Sequence, residues 1–192
     1  SMTVVNGKGS IQTKESFGSV QLHIEWKTGT KDLEKHNNQS RSNSGVFFQK
    51  NYEIQILDSY NNPTYVNGQA GSVYKQYIPL KNTSKKPGDW QSYDIIFTAP
   101  IFKKEKLEKP GYFTVFHNGV LIQNHVEIYG TTTNVGEPKY SAHSNAPIML
   151  QDHCCIPLSF RNIWLRKLDL ASPISEFVDT LISVSGSGIG AI

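Results

Sequence analysis

The sequence predicts an all-β protein, a sandwich of two antiparallel sheets with a short C-terminal appendage, and three observations carry that expectation. Apolar residues recur with a period of two rather than 3.6 through most of the chain. Turn formers are dense, with 15 Gly, 9 Pro and 14 Asn punctuating nearly every apolar run. At least seven strand-like segments result, and several carry one polar face, as strands do when two sheets pack core to core. At 192 residues the chain is expected to be one domain, residues 1–168, followed by a tail, 169–192.

The first clear strand is Val20 to Trp26, in which Val20, Leu22, Ile24 and Trp26 face the core and Gln21, His23 and Glu25 face away. Tyr52 to Leu57 repeats the pattern, with Tyr52, Ile54 and Ile56 inward and Glu53 and Gln55 outward. Asp89 to Thr98 is a third long strand. Tyr112 to Phe116 and Val120 to Gln123 flank His117-Asn118-Gly119, and Asn-Gly supplies the positive φ angles of a tight hairpin, so His117 reads as turn chemistry. Pro147 to Gln151 and Phe160 to Leu168 close the domain. Loops 27–44 and 59–88 are longer than usual connections. The second holds Tyr60, Asn61, Asn62, Tyr65, Asn67, Tyr74 and Tyr77, a composition that suits a binding rim or simply covers a sheet end. In the tail, Pro173 to Val184 reads as a short amphipathic helix, with Ile174, Phe177, Val178, Leu181 and Ile182 on one face.

Composition excludes several functions. The net charge is only +3, and the lysines at 81, 85 and 86 and in Lys103-Lys104-Glu105-Lys106 lie beside prolines, as solvated loops do; nucleic acid is not an expected partner. No run of eighteen apolar residues predicts a membrane span, and the first twenty residues lack the order of a signal peptide. Cys154 and Cys155 are adjacent, and because a vicinal disulfide closes a strained ring, two free thiols are expected. The six histidines show no zinc-ligand spacing.

Two places could carry chemistry. On the strand from Tyr52, Glu53 and Gln55 share a face, and a β-bulge would return Asp58 to it. The spacing E-x-Q-x-x-D resembles the E-x-D-x-x-E strand of glycoside hydrolase family 16, whose outer carboxylates stand about 5 to 5.5 Å apart. Here the middle acid is an amide and the last is shorter, so the likeness is geometric. The alternative is a solvated strand face with Asp58 capping the turn Asp58 to Pro63. The second place is the strand end at Gln151 and His153, which share a face, since imidazole titrates near neutrality. His23 and Glu25 read as a hydrogen-bonded surface pair.

Seven segments in order resemble the 3-keto-disaccharide hydrolase domain family between about Ile11 and Leu168: Gly45 to Gln49, Tyr52 to Tyr60, Gly68 to Gln76, Gly88 to Ile95, His117 to Ile122, Leu150 to His153 and Phe160 to Trp164. The resemblance implies a jelly-roll sandwich of the concanavalin A-like lectin/glucanase kind, a bacterial protein that is periplasmic or extracellular, and cleavage of glycosides oxidised at C3. A ketone at C3 acidifies the C2 proton, so a base can form an enolate and the C1 oxygen can leave by elimination, with water adding afterwards. The expected catalytic residues are His153 as base or acid, Glu53 or Asp58 as its complement, and Lys75 or Arg161 near the oxyanion. Gln55, Asn43, Tyr74, Arg161 and Gln151 are the expected substrate contacts. A divalent cation could take the place of the basic residue, and no metal ligand is assigned. A non-catalytic carbohydrate-binding module on the same sandwich is the alternative.

Overall fold

The computed structural model describes residues 1–153 and 155–168; the expected tail lies outside them. Among the described residues twelve strands occur in chain order: β1 (Met2–Thr3), β2 (Ile11–Gln12), β3 (Val20–Thr28), β4 (Ser44–Phe48), β5 (Tyr52–Ile56), β6 (Gln91–Thr98), β7 (Ile101–Lys103), β8 (Lys106–Lys109), β9 (Tyr112–His117), β10 (Val120–Glu127), β11 (Met149–Leu150) and β12 (Leu158–Lys167). They form an antiparallel six-stranded sheet, β1-β12-β3-β6-β9-β10, and a four-stranded sheet, β2-β11-β4-β5, with β7 and β8 as a separate ribbon. The fold is the expected sandwich of jelly-roll type.

Alternation builds the core. Val20, Leu22, Ile24, Trp26 and Thr28 are buried along β3, and Tyr93, Ile95 and Phe97 along β6. From the other sheet come Val46, Phe48, Tyr52, Ile54 and Ile56. The sheets meet through Phe48 against Phe97 and Phe113, at ring-centroid distances of 4.9 and 5.2 Å, and through Tyr52 against Phe97. A buried hydrogen bond from the Tyr93 hydroxyl to the Gln55 carbonyl, 2.8 Å, ties them as well. Each fully buried Phe or Ile contributes about 1.5 to 3 kcal/mol by leaving water.

Three local expectations change. His117 pairs with Val120 across the Asn118-Gly119 turn, whose φ angles are 52° and 79°, so the hairpin is as read. Its side chain nevertheless belongs to the core: it is wholly buried, stacked on Trp26 and bonded through Nε2 to Gln91 at 2.9 Å. The lysine-rich segment near 103 is not a plain loop, because β7 and β8 pair there with their lysines in solvent. Cys155 is disulfide-bonded, not a free thiol.

Candidate active site

The outward face of β5 is covered, not solvated. Glu53 and Gln55 are 4% and 1% exposed because loop residues fold over that side of the four-stranded sheet. Within this cover lies a polar cavity of about 260 Å³. Glu53 and Gln55 form its floor, with Phe47 of β4 and Asn43 just before it. Gln151 and His153 enter from the end of β11; the ladder continues past that strand, with Gln151 N donating to Gly45 O at 3.0 Å and Ser44 Oγ to Gln151 O at 2.8 Å. Tyr74 and Thr132 to Asn134 form the outer wall.

The placement of Glu53 depends on Gly45. In the ladder Gly45 stands opposite Gln55 and Phe47 opposite Glu53, so the Glu53 side chain leans diagonally across the strand pair. A Cβ at position 45 would overlap Glu53 Oε1, which explains the glycine. One end of the Gln55 side-chain amide lies 2.9 Å from both Glu53 Oε1 and Ser44 O, and the other lies 3.0 Å from Gln39 Oε1. Thr132 Oγ1 accepts the Glu53 backbone N–H at 3.0 Å, and Thr132 N donates to Asn51 O at 2.7 Å, which anchors the outer loop to β5. No basic side chain forms an ion pair with Glu53 among the described residues, and burial pushes its carboxyl up to about 8. It is therefore mostly protonated near neutrality, a proton donor in a cavity that also holds an exposed imidazole at His153.

The outer wall is a connected set. The Tyr74 hydroxyl donates to Asn134 Oδ1 at 3.1 Å and lies 2.7 Å from the Tyr65 hydroxyl. Asn43 Nδ2 donates to Gln39 O at 2.8 Å and so is fixed at the rim.

Of the nine site residues expected from sequence, the cavity brings together Glu53, Gln55, Asn43, Tyr74, Gln151 and His153. Three others do not line it. No bulge returns Asp58 to the face: it is 1% exposed, ion-paired with Arg41 (Nε to Oδ2, 2.9 Å), and its Oδ1 accepts the Tyr60 N–H, so the turn-capping alternative is what forms. Burial outweighs the guanidinium and raises the Asp58 carboxyl above its ordinary value. Arg161 lies on the outer side of the other sheet, bonded to Glu25 at 2.6 Å and packed on Trp90. Glu25 therefore holds Arg161 and Asn162, whereas His23 is bonded to Asp94 at 2.7 Å. Lys75 stands behind the wall, its Nζ 3.8 Å from the Tyr65 ring centroid. Thr132, Thr133, Asn134 and Phe47 were not anticipated; the polar run Thr131 to Asn134 was the one signal for the first three. Among the described residues no three His, Cys, Asp or Glu side chains converge as a metal site, and with Asp58 held elsewhere Glu53 and His153 are the two that line the cavity.

The domain family described as 3-keto-alpha-glucoside-1,2-lyase-like matches residues 1–166. The chain is similar to the crystal structure of a "putative glycosyl hydrolase" from Parabacteroides distasonis ATCC 8503, with 53% identity and a TM-score of 0.83, covering 86% of this chain and 71% of that one. Two further structures under the same description and from the same organism share the fold at 19% and 21% identity, with TM-scores of 0.57 and 0.59. They cover 83% and 84% of this chain, and 74% and 85% of their own. No curated protein matches the chain.

Proposed function

Since the chain belongs to the 3-keto-alpha-glucoside-1,2-lyase-like domain family, we propose that its cavity cleaves 3-keto-glycosides by elimination, with hydration of the product as the second half of a net hydrolysis. The observation that carries this reading is Glu53, a carboxyl held protonated near neutrality by burial, lining the same cavity as His153. Direct displacement needs a second carboxylate at the scissile bond, and Asp58 is tied to Arg41 instead. Elimination needs a base and an acid.

In this scheme the His153 imidazole takes the C2 proton, and the C–H electron pair forms the C2–C3 double bond of an enolate as the ketone electrons move to oxygen. The enolate then reforms the ketone, its electrons make the C1–C2 double bond, and the C1–O bond breaks. Glu53 gives its proton to the leaving oxygen, so the products are an enone and the free alcohol. Gln55 keeps the Glu53 carboxyl oriented, while Asn43 and Gln151 lie where hydroxyls of the sugar would meet them. The disulfide at Cys155 supports an exported, oxidising location as part of the same proposal.

The test is incubation with a 3-keto-disaccharide and with its unoxidised parent, with and without a chelator, following enone absorbance and free sugar. Cleavage of the keto form alone, lost in Glu53→Gln and His153→Ala, is the expected result. Saturable binding of the parent sugar without turnover of either would leave a carbohydrate-binding module.

A further inference from the structure

The elimination scheme leaves the enolate oxygen without a partner, and the outer wall holds a set of groups with no role in it. Arg161 lies on the far sheet, and Lys75 reaches the cavity only through two tyrosines. Most neutral donors of the lining are committed to groups outside it: Asn43 to Gln39 O, Thr133 Oγ1 to Val135 O at 2.6 Å, and the Gln55 amide to Gln39 Oε1 at 3.0 Å. Tyr74 is engaged with Asn134, which lines the same cavity, and a second hydroxyl stands behind it. A phenol has one proton, and Tyr74 gives its own to Asn134 Oδ1, so the 2.7 Å contact between the two hydroxyls is donated by Tyr65. The bonds therefore run in one direction, Tyr65 to Tyr74 to the cavity.

At the far end of that run is a cation. Lys75 has a left-handed backbone (φ 62°) that a lysine rarely adopts. Asn67 holds it there, its carbonyl accepting Lys75 N–H at 2.9 Å and its amide donating to Lys75 O at 3.3 Å. This places the ammonium over the Tyr65 ring, and Lys75 has no ion-pair partner among the described residues. A cation over a phenol face withdraws electron density and makes its O–H a stronger donor, and the effect passes along a hydrogen-bonded pair.

We propose that Tyr74 is the hydrogen-bond donor to the C3 enolate oxygen, with Tyr65 and Lys75 as positioning residues that polarise its hydroxyl. The inference rests on the elimination reading above. Asn134 accepts the Tyr74 proton within the cavity wall; the ketone oxygen takes the place of Asn134 as acceptor, and the bond strengthens as charge builds on that oxygen.

The experiment compares kcat and KM for a 3-keto-glycoside in Tyr74→Phe, Tyr65→Phe, Lys75→Met and Lys75→Arg, alongside deuterium exchange at C2, with thermal melting to confirm that each variant is folded. Removal of a donor used only in the transition state is expected to lower kcat by about a hundredfold with KM within about threefold. Tyr65→Phe and Lys75→Met are expected to lose about five- to tenfold, and Lys75→Arg to recover, because a guanidinium also sits on an aromatic face. C2 exchange should slow in parallel with cleavage in Tyr74→Phe. A wild-type protein that cleaves the substrate while Tyr74→Phe keeps its kcat, or changes only KM, overturns this inference alone. A Lys75→Met variant equal to wild type overturns the role of the cation. A wild-type protein with no cleavage and no C2 exchange overturns the elimination reading, and this inference with it.

Discussion

At Glu53 the burial that makes a proton donor also works against the fold. The folded-state pKa is about 8 against an ordinary 4.5, so the protonated form is the one the fold favours. As pH rises from 4.5 to 8 the unfolded chain ionises first and the native state loses ground across that window. Glu53→Gln keeps the shape and removes the titration. It should therefore be more stable than wild type at pH 8 by a few kcal/mol, and equal to it near pH 4, while losing at least a hundredfold in cleavage. Denaturant unfolding at the two pH values checks it, and parallel wild-type and variant curves would refute the assigned titration. Asp58 is raised in the same direction, but its environment differs. It is as buried as Glu53 yet bonded to Arg41, whose side chain is 14% exposed, and to the Tyr60 N–H, so Asp58→Ala leaves a nearly buried guanidinium and a backbone donor without their acceptor. A loss of about 3 kcal/mol is expected, with activity per folded molecule unchanged because neither side chain lines the cavity. One buried carboxyl lines the cavity, and the other ties two loops together through its hydrogen bonds.

Among the elements, those with their own local pattern were legible. β3 is read directly from Val20 to Trp26 because one face is core and the other is not, and the β9–β10 hairpin is read from Asn118-Gly119 because both residues must take positive φ. That turn supports a clean prediction: a Cβ on Gly119 meets nothing within 4 Å, so Gly119→Ala costs only the backbone strain of φ 79°, about 1 kcal/mol of unfolding free energy read by denaturant titration. A loss of several kcal/mol would mean a packing role that the geometry does not contain. β5 was legible in its alternation but not in its surroundings. Period two puts Glu53 and Gln55 on one face, yet nothing local says that residues 131–134, nearly eighty positions away, close over it. Nor could the strand spacing decide whether Asp58 follows a bulge or caps a turn, since the partner that decides it is Arg41 in another loop. The short strands β1 and β2, of two residues each, exist only through their ladders and leave no periodic trace, whereas β11 falls within the segment Pro147 to Gln151 read as a strand.

At the scale of the whole molecule, two buried titratable groups on different sides of the sandwich set opposite limits on stability. His117 faces the core from the six-stranded sheet, between Trp26 and Tyr93, with Nδ1 unpaired among the described residues, and burial lowers its pKa to about 3. The fold therefore requires the neutral imidazole. Its contribution is fully present above the unfolded value of 6.5 and is lost as pH falls from 6.5 toward 3. The Glu53 window, 4.5 to 8, slopes the other way. Between 4.5 and 6.5 the two slopes oppose and cancel. Below 4.5 the His117 slope is unopposed by Glu53, and above 6.5 the Glu53 slope is unopposed by His117. Stability should accordingly be broadest between about pH 4.5 and 6.5, with each limb assignable by a variant. His117→Phe removes the imidazole titration while keeping a ring against Trp26. Its unfolding free energy should fall less steeply on the acid side than that of wild type, by a few kcal/mol between pH 6.5 and 3. The alkaline limb should be untouched in that variant and flattened in Glu53→Gln. Because the two groups share no hydrogen-bond partner, the double variant should lose both slopes additively to within about 0.5 kcal/mol. Equal acid limbs in His117→Phe and wild type would instead mean that the imidazole gains a proton without unfolding the core, against the burial that isolates it from water.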